Sequence, residues 1–295
     1  MVAAPSGMKG LTGMAMRRSR LTQPFISILK YVALVSVSCV MLLPFYWMIA
    51  ASLMTTAEII RTPPPLMPAE PQWRNYVDVV YAVNIGRAYL NSIIVSALTV
   101  LGILFTSSLS GFAFAKYHFP LKNVLFTIIL ASMMIPFFVI LIPVFYIVKQ
   151  LGWLNNYAGL ILPGVVSAYG VFMLRQFIQG IPDELLDAAR IDGASEFRIY
   201  WQLIVPLSGP ALATLGVFSL VGVWNSFLWP LLVVQDSALH TVPLALNNLR
   251  TYGAEERSLN LRMAGTVLSV IPSVVVFVWL QRFFRRGIAL TGLKG

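Results

Sequence analysis

The stretch A-Y-L-N-S-I-I-V-S-A-L-T-V-L-G-I-L-F-T-S-S-L-S-G-F-A-F-A, Ala88 to Ala115, contains no charged side chain and is closed on either side by Arg87 and Lys116. About 20 consecutive apolar residues in a helix cross the hydrocarbon core of a bilayer. In lipid the backbone must satisfy its own hydrogen bonds, so such a stretch is read as a spanning helix. Working outward, five more charge-poor stretches follow the same rule: Tyr31 to Ala57, Asn123 to Val148, Gln150 to Leu174, a segment within Ile199 to Gln235, and Met263 to Gln281. The fold expected is an all-α polytopic membrane protein with about six transmembrane helices.

Composition supports this. Of 295 residues, 58% are hydrophobic and 11% charged, against roughly 25% charged in a soluble domain. The mean hydropathy is +0.79. The one cysteine, Cys39, lies in an apolar run and excludes an internal disulfide and a cysteine-rich metal site. No catalytic residue and no metal site is expected. The net charge of +10 comes from basic residues that flank apolar runs rather than cluster on a soluble face, which argues against nucleic acid. With a cytoplasmic N-terminus, 14 Lys and Arg fall on the inside, among them Arg17, Arg18, Arg20, Lys116, Lys122 and Arg175. Seven fall outside, among them Arg61, Arg74, Arg87 and Arg250. Positive residues favour the inside, so both termini are placed there. The first apolar run is longer than the ~7–15 residues of a signal-peptide core and is read as an uncleaved span.

The resulting organisation is a cytoplasmic N-terminal segment over 1–27, a transmembrane domain over 28–285 and a cytoplasmic tail over 286–295. Within the domain, 58–87 is an external loop stiffened by Pro63, Pro64, Pro65, Pro68 and Pro71 and followed by a short helix. Residues 236–262 form a second external loop, and 179–207 form a cytoplasmic loop. Gly287, Gly292, Lys294 and Gly295 make the tail short and flexible.

No Asp, Glu, Lys, Arg or His lies in the middle of a proposed span. Ion-coupled carriers commonly place their relay there, so secondary transport is the weaker class. The phosphate-binding pattern G-x-x-x-x-G-K-[ST] is absent, and a pump built on this chain draws its energy from another subunit. Uncharged polar residues mark a candidate translocation path for a neutral solute: Asn91 and Ser92 in the second span, Trp224 and Asn225 in the fifth. Asn225 leads these because a buried amide needs partners; the alternative for each is helix packing. Pro136 and Pro143 in the third span and Pro163 in the fourth predict kinks.

The cytoplasmic loop reads I-P-D-E-L-L-D-A-A-R-I-D-G-A-S-E-F-R-I-Y-W-Q-L-I-V-P, Ile181 to Pro206. Pro182 suits the first position of a helix, and Asp183 and Glu184 complement its N-terminal dipole. Gly193 stops the helix, as glycine does at a left-handed C-terminal position. Ser195 caps a second helix with Phe197, Tyr200, Trp201 and Ile204 on its apolar side. The product is a helix-turn-helix that is too acidic at its start to rest on an anionic leaflet.

These residues resemble a known family. The run D-A-A-R-I-D-G-A from Asp187, completed by I-V-P at Ile204 to Pro206, is similar to the EAA loop of binding-protein-dependent ABC permeases, with Asp187 in place of the usual Glu. N-S-I-I-V-S from Asn91, F-A-K-Y-H-F-P from Phe114, W-N-S-F-L-W-P from Trp224 and the ending Q-R-F-F-R-R-G and T-G-L-K-G resemble the maltose-type, carbohydrate-uptake branch. The resemblance covers roughly residues 25–295. It implies the type I ABC importer permease fold in a bacterial plasma membrane. It implies an ATPase-coupling role for Glu184, Asp187, Ala188, Ala189, Asp192, Gly193, Ala194 and Pro206. It also implies a second permease subunit, a dimer of cytoplasmic ATPase subunits that bind ATP and Mg, and an extracytoplasmic solute-binding protein. The chain itself binds no cofactor on this reading. Within the superfamily, a polyol, a sugar phosphate or an amino acid is the alternative solute to a sugar.

Overall fold

The structure, a computed structural model, describes residues 8–250 and 259–291, with side chains over 27–249 and 259–278. Among these residues every regular element is helical: α1 (Met8–Ser52), α2 (Thr56–Ile59), α3 (Arg74–Ala82), α4 (Ile85–Lys116), α5 (Lys122–Ser132), α6 (Phe137–Gln150), α7 (Tyr157–Ile161), α8 (Ala168–Gln179), α9 (Asp183–Ile191), α10 (Glu196–Ile199), α11 (Val205–Leu207), α12 (Gly209–Trp224), α13 (Leu228–Val233), α14 (Val242–Asn247) and α15 (Leu259–Thr291). A π-helical turn, Tyr200–Ile204, joins α10 to α11, and a 3-10 turn, Leu162–Gly164, follows α7.

Three apolar stretches are each long enough to cross a bilayer: Ser27–Ser52, Ile85–Lys116 and Leu259–Val278. Three bent pairs pass the same length and hydropathy test together, each a broken span or a re-entrant segment. Helices α5 and α6 meet at 102°, α7 with its 3-10 turn meets α8 at 43°, and the Glu196–Leu207 segment meets α12 at 75°. Up to six crossings result when each pair is counted as one. Val40, Met41, Phe138 and Ile142 are among the apolar side chains left mostly exposed on α1 and α6. Water would penalise such continuous apolar faces, whereas lipid accepts them.

The bends correct the expectation of straight spans. Over 123–148 the helix stops at Ser132 and restarts after Pro136, whose φ of −60° and ψ of 141° are extended. Proline disfavours helix at the residue before it, so the break falls at Ile135 and not as a mild kink. Pro143 remains inside α6. The fourth stretch begins at Tyr157, not Gln150, because Asn155 (φ +56°) turns the chain. Its Oδ1 accepts from the backbone N–H of Gln235 (3.0 Å) and of Asp236 (2.9 Å), lashing the 151–156 turn to the far side of the sequence. Ser167 caps α8 by accepting from Gly170 N–H. Helix α1 ends at Ser52 rather than continuing to Ala57, since Thr55 starts α2 with a capping box to Glu58. The short helix expected at the end of the 58–87 loop is α3. Within the 236–262 loop, 251–258 lies outside the described residues. So do 1–7 and 292–295, the last holding Gly292, Lys294 and Gly295; Gly287 belongs to the α15 helical backbone rather than to a flexible tail.

Helix α4 is the axis of the molecule. It packs along α8 and against α12, with Ser107, Ser108 and Gly111 facing its neighbours. Small residues let membrane helices approach closely. The largest core cluster lies at one end of this axis. It joins Ile103 and Phe112 of α4, Leu174 and Ile178 of α8, and Leu215 of α12 to Leu186 of α9 and to Ile199, Tyr200 and Ile204. The loop after α8 is thus part of the same packed body as three membrane helices.

Candidate functional site

The segment Ile181–Pro206 folds as two short helices around one tight turn. Pro182 is the N-cap residue of α9, not its first helical position. Either place suits proline, since no N–H is required. Asp183 and Glu184 occupy the first turn and Arg190 the last, complementing the helix dipole at both ends. Gly193 has φ of +79°. Its N–H donates to Arg190 C=O and that of Ala194 to Ala189 C=O, both at 3.0 Å. This is the paired bonding of a Schellman turn, which wants glycine at the left-handed position. Ser195 then caps α10 by accepting from Arg198 N–H at 3.3 Å.

The second helix departs from its expected form. After Ile199 the chain makes a π turn, which shifts the faces relative to a regular helix. Ile199, Tyr200 and Ile204 are buried, while Phe197 is 62% exposed and Trp201 46%. Tyr200 reaches Ser108 of α4, their hydroxyls 2.7 Å apart. On α9 only Leu186 is buried; Glu184, Leu185, Asp187, Ala188, Ile191 and Asp192 lie exposed, Ile191 at 86%, and Ala189 is half-buried. Ala194 is half-buried and Pro206 exposed. The loop therefore presents an outer surface of mixed acidic and apolar groups, carried on a buried stem.

A polar strap fixes that stem to the end of α4. Lys116, with its side chain 5% exposed, pairs with Asp183 Oδ1 at 2.6 Å and also donates to Ile181 C=O. Tyr117 donates to Glu196 Oε2. Arg190 donates from Nε to Glu196 Oε1 at 2.8 Å and from Nη1 to Asp187 at 3.0 Å. Charge-assisted bonds of this kind are among the stronger ones. The Arg190 and Tyr117 hydrogen bonds hold the Glu196 carboxyl below the ordinary 4.5. Burial, then the bond to Glu196, pushes Tyr117 up from 10.0 to about 12. Glu196 therefore contributes above its ordinary value and loses that contribution as pH falls through the lowered folded one. Tyr117 contributes below its ordinary value and loses it as pH rises through about 12. An environment-sensitive probe on Ile191→Cys, in a Cys39→Ser background, is expected to report constant mobility from about pH 5 to about pH 10 and greater mobility outside that window. Glu196→Gln should raise mobility inside the window and flatten part of the acid limb. Mobility inside the window that is unchanged in Glu196→Gln would remove Glu196 from the strap, since the rest of the acid limb belongs to Asp183, whose carboxyl the Lys116 hydrogen bond also lowers.

The path candidates occupy the other half of the molecule. Asn91 is fully buried and hydrogen-bonded through both ends of its amide. Its Nδ2 donates to Ala238 C=O and His240 C=O, each at 2.9 Å, and its Oδ1 accepts from Tyr157 at 2.6 Å. Ser92 accepts from Val242 N–H at 2.8 Å. Both residues hold the 236–242 segment down on α4. Trp224 is buried, donates to Ser269 C=O at 3.2 Å, and borders an apolar cavity of about 300 Å³ with Ser96 and Pro272. Asn225 is exposed rather than buried. It ends α12, and its Nδ2 bonds back to Val221 C=O. A cavity elsewhere in this half lies beside α13, lined by Phe137, Trp229 and further residues of α4, α6, α12 and α13.

A family model described as binding-protein-dependent transport system inner membrane component matches residues 102–290. The chain is 33% identical to the arabinooligosaccharides transport system permease protein AraQ of Halalkalibacterium halodurans, over 94% of this chain and 99% of that protein. It is 34% identical to the sn-glycerol-3-phosphate transport system permease protein UgpE of Rhizobium meliloti, over 91% and 98%. Its fold matches a chain of a bacterial ABC transporter that imports the acidic polysaccharide alginate, with a TM-score of 0.79 and 21% identity over 89% of this chain and 98% of the other. A second structure of such a transporter, in complex with a periplasmic protein carrying an alginate pentasaccharide, matches with a TM-score of 0.63 and 16% identity, over 90% and 96%.

Proposed function

The chain belongs to the family of binding-protein-dependent transport system inner membrane components, and we propose that it imports a sugar or related carbohydrate as the permease subunit of an ABC transporter. It does no covalent chemistry on this reading. Hydrolysis of ATP, with its Mg, takes place on a dimer of cytoplasmic ATPase subunits. A second permease completes the path, and an extracytoplasmic solute-binding protein delivers the solute. The membrane is the bacterial plasma membrane, with both termini and the 179–207 loop on the cytoplasmic side.

One observation carries the proposal. The core cluster packs Leu186 and Tyr200 against α4, α8 and α12, while Leu185, Ile191 and Phe197 stay exposed, and Trp201 stacks on Phe105 of α4. A segment with a buried stem and an apolar outer face moves with the helices it is packed into. The same face supplies a docking surface for a partner. Closure of the ATPases then shifts the loop as a rigid piece, and the bent pairs change their mutual angle at Ser208 and near Pro136.

The test is uptake into proteoliposomes carrying the two permeases, with and without the ATPase subunits. Uptake is expected only with the ATPases, binding protein and ATP together, and the purified chain alone should hydrolyse no ATP. Uptake by the permeases alone, driven by an ion gradient, would favour the rival reading of a secondary carrier.

A further inference from the structure

We infer that the end of the molecule that carries the 179–207 loop holds a binding site for the headgroup of an anionic phospholipid, in the open cavity between the start of α5 and the end of α8. The site requires α4 and α5 to cross the membrane; it does not require the chain to import a sugar.

The cavity has a volume of about 470 Å³, and His118, Lys122 and Arg175 stand in its wall. They come from the turn after α4, the first position of α5 and α8 respectively. No Asp or Glu lines the cavity. Among the described residues neither Lys122 nor Arg175 is in an ion pair. Asp183, whose carboxyl is near enough to feel His118, is already paired with Lys116 at 2.6 Å.

The two cations are held in place. Lys122 Nζ donates to Tyr117 C=O at 2.7 Å, and Arg175 Nε donates to Phe114 C=O at 3.2 Å. The Arg175 guanidinium carbon lies 3.9 Å from the centre of the buried Phe126 ring. Each hydrogen bond uses one donor of a group that has several, so both cations keep N–H groups for an anion. A guanidinium and an ammonium together suit a phosphate. The first turn of α5, Lys122 to Val124, also lines the cavity and adds the positive end of that helix dipole. Basic residues flank apolar helices without any ligand, because they set orientation. That rule explains positive charge at this end of the molecule. It does not explain two cations fixed by backbone carbonyls around a cavity with no carboxylate in its wall.

The apolar surface beside the cavity selects a lipid over a soluble phosphate. Leu121, Val124, Leu125 and Ile128 follow one another at i, i+3, i+4 and i+7, from the N-cap along one face of α5, and all are exposed. Leu121 and Val124 belong to the cavity wall as well. The face therefore starts at the charged wall and runs away from it along the crossing. A phosphodiester with acyl chains attached satisfies both surfaces at once: the anion meets Lys122 and Arg175, and the chains cover the apolar face. Basic pockets between crossing helices take such headgroups.

For the test, the full-length chain, purified in detergent, would be titrated with phosphatidylglycerol and with phosphatidylcholine, and bound lipid read by native mass spectrometry. The wild type is expected to retain phosphatidylglycerol in preference. Lys122→Gln, which leaves Arg175 on Phe126, should weaken that retention roughly fivefold, and Lys122→Gln with Arg175→Gln roughly tenfold or more. Retention of phosphatidylcholine should not change. Lys30→Gln, which removes an exposed cation from the Ser27–Ser52 stretch, should alter neither lipid. Equal retention of the two lipids by the wild type would overturn the site, as would undiminished phosphatidylglycerol binding in either variant. An equal loss in Lys30→Gln would reduce the effect to overall charge and overturn it too. Inorganic phosphate is the second arm, and it should leave the melting temperature unchanged while phosphatidylglycerol raises it. A phosphate shift as large as the lipid shift would make the cavity a phosphate pocket and overturn the lipid. In membranes that contain the whole transporter, a photoreactive group on Leu121→Cys, in the Cys39→Ser background, should attach to lipid. Attachment to another subunit instead would show that a protein covers this face, and would overturn the inference while leaving the importer reading intact.

Discussion

Gly193→Val is expected to leave the chain in the membrane at near-normal amounts while ATPase co-purification and uptake both fall by roughly an order of magnitude. The turn between α9 and α10 holds Gly193 at φ +79°, and a Cβ there meets no atom within 4 Å. Crowding is therefore not the problem. The cost is the left-handed backbone itself, about 1–2 kcal/mol for a residue with a Cβ, and a β-branched side chain tolerates it least. At about 1.4 kcal/mol per tenfold change, this moves the loop out of its docking geometry in most molecules. It does not disturb spans that satisfy their own backbone bonds. Asparagine enters the left-handed region more readily than other side chains, so Gly193→Asn should retain most function, with Gly193→Ala between the two. Immunoblots of membranes, co-purification and uptake give the three readings. Loss of protein and uptake in parallel would make Gly193 a folding residue only.

Gly170→Val should do the opposite and lower membrane protein and uptake together. Helix α8 lies against α4 so closely that a Cβ on Gly170 would sit 2.2 Å from Ser107 Oγ and 3.1 Å from Leu215 Cδ2. Ser107 is fully buried and has nowhere to move. Overpacking of this kind costs about 1–3 kcal/mol even for one or two added carbons, and it falls on the contact that organises the molecule. Gly170→Ala should lower the melting temperature by less, and adding Ser107→Ala, which deletes the oxygen at 2.2 Å, should recover part of the loss. A Gly170→Val protein that melts with the wild type would show that α4 and α8 slide apart freely. The two glycines thus separate by readout, one by coupling and the other by assembly.

Features fixed by local chemistry were legible in the sequence. Charge-free length located the membrane segments, and the acid-start, glycine-stop, serine-cap order from Asp183 to Ser195 predicted the turn that the structure shows. Two kinds of feature were not legible. Hydropathy does not distinguish a straight span from a bent pair, so α5 and α6 read as one helix; the signal available was Pro136, which bars helix at Ile135. The π turn at Tyr200–Ile204 leaves no periodic mark, and of the four residues placed on the apolar side only Tyr200 and Ile204 are buried. The partners of polar residues were hidden for a different reason. Asn91 and Ser92 look like path residues in an apolar run, yet their partners are the backbone at Ala238, His240 and Val242, far along the chain.

We propose the outer face of the 179–207 loop as the surface on which the ATPase subunits sit. It is tested most directly by cross-linking from Ile191, 86% exposed on that face. With Cys39→Ser removing the one native thiol, Ile191→Cys and, at the opposite half of the molecule, Asn225→Cys would each be treated with a short bifunctional maleimide in membranes of cells that express the whole transporter. An adduct of permease plus ATPase mass at Ile191→Cys, weakened in Gly193→Val and absent from Asn225→Cys, is the result the account predicts. The same adduct from Asn225→Cys, or none from Ile191→Cys in a transporter that still takes up solute, would contradict it.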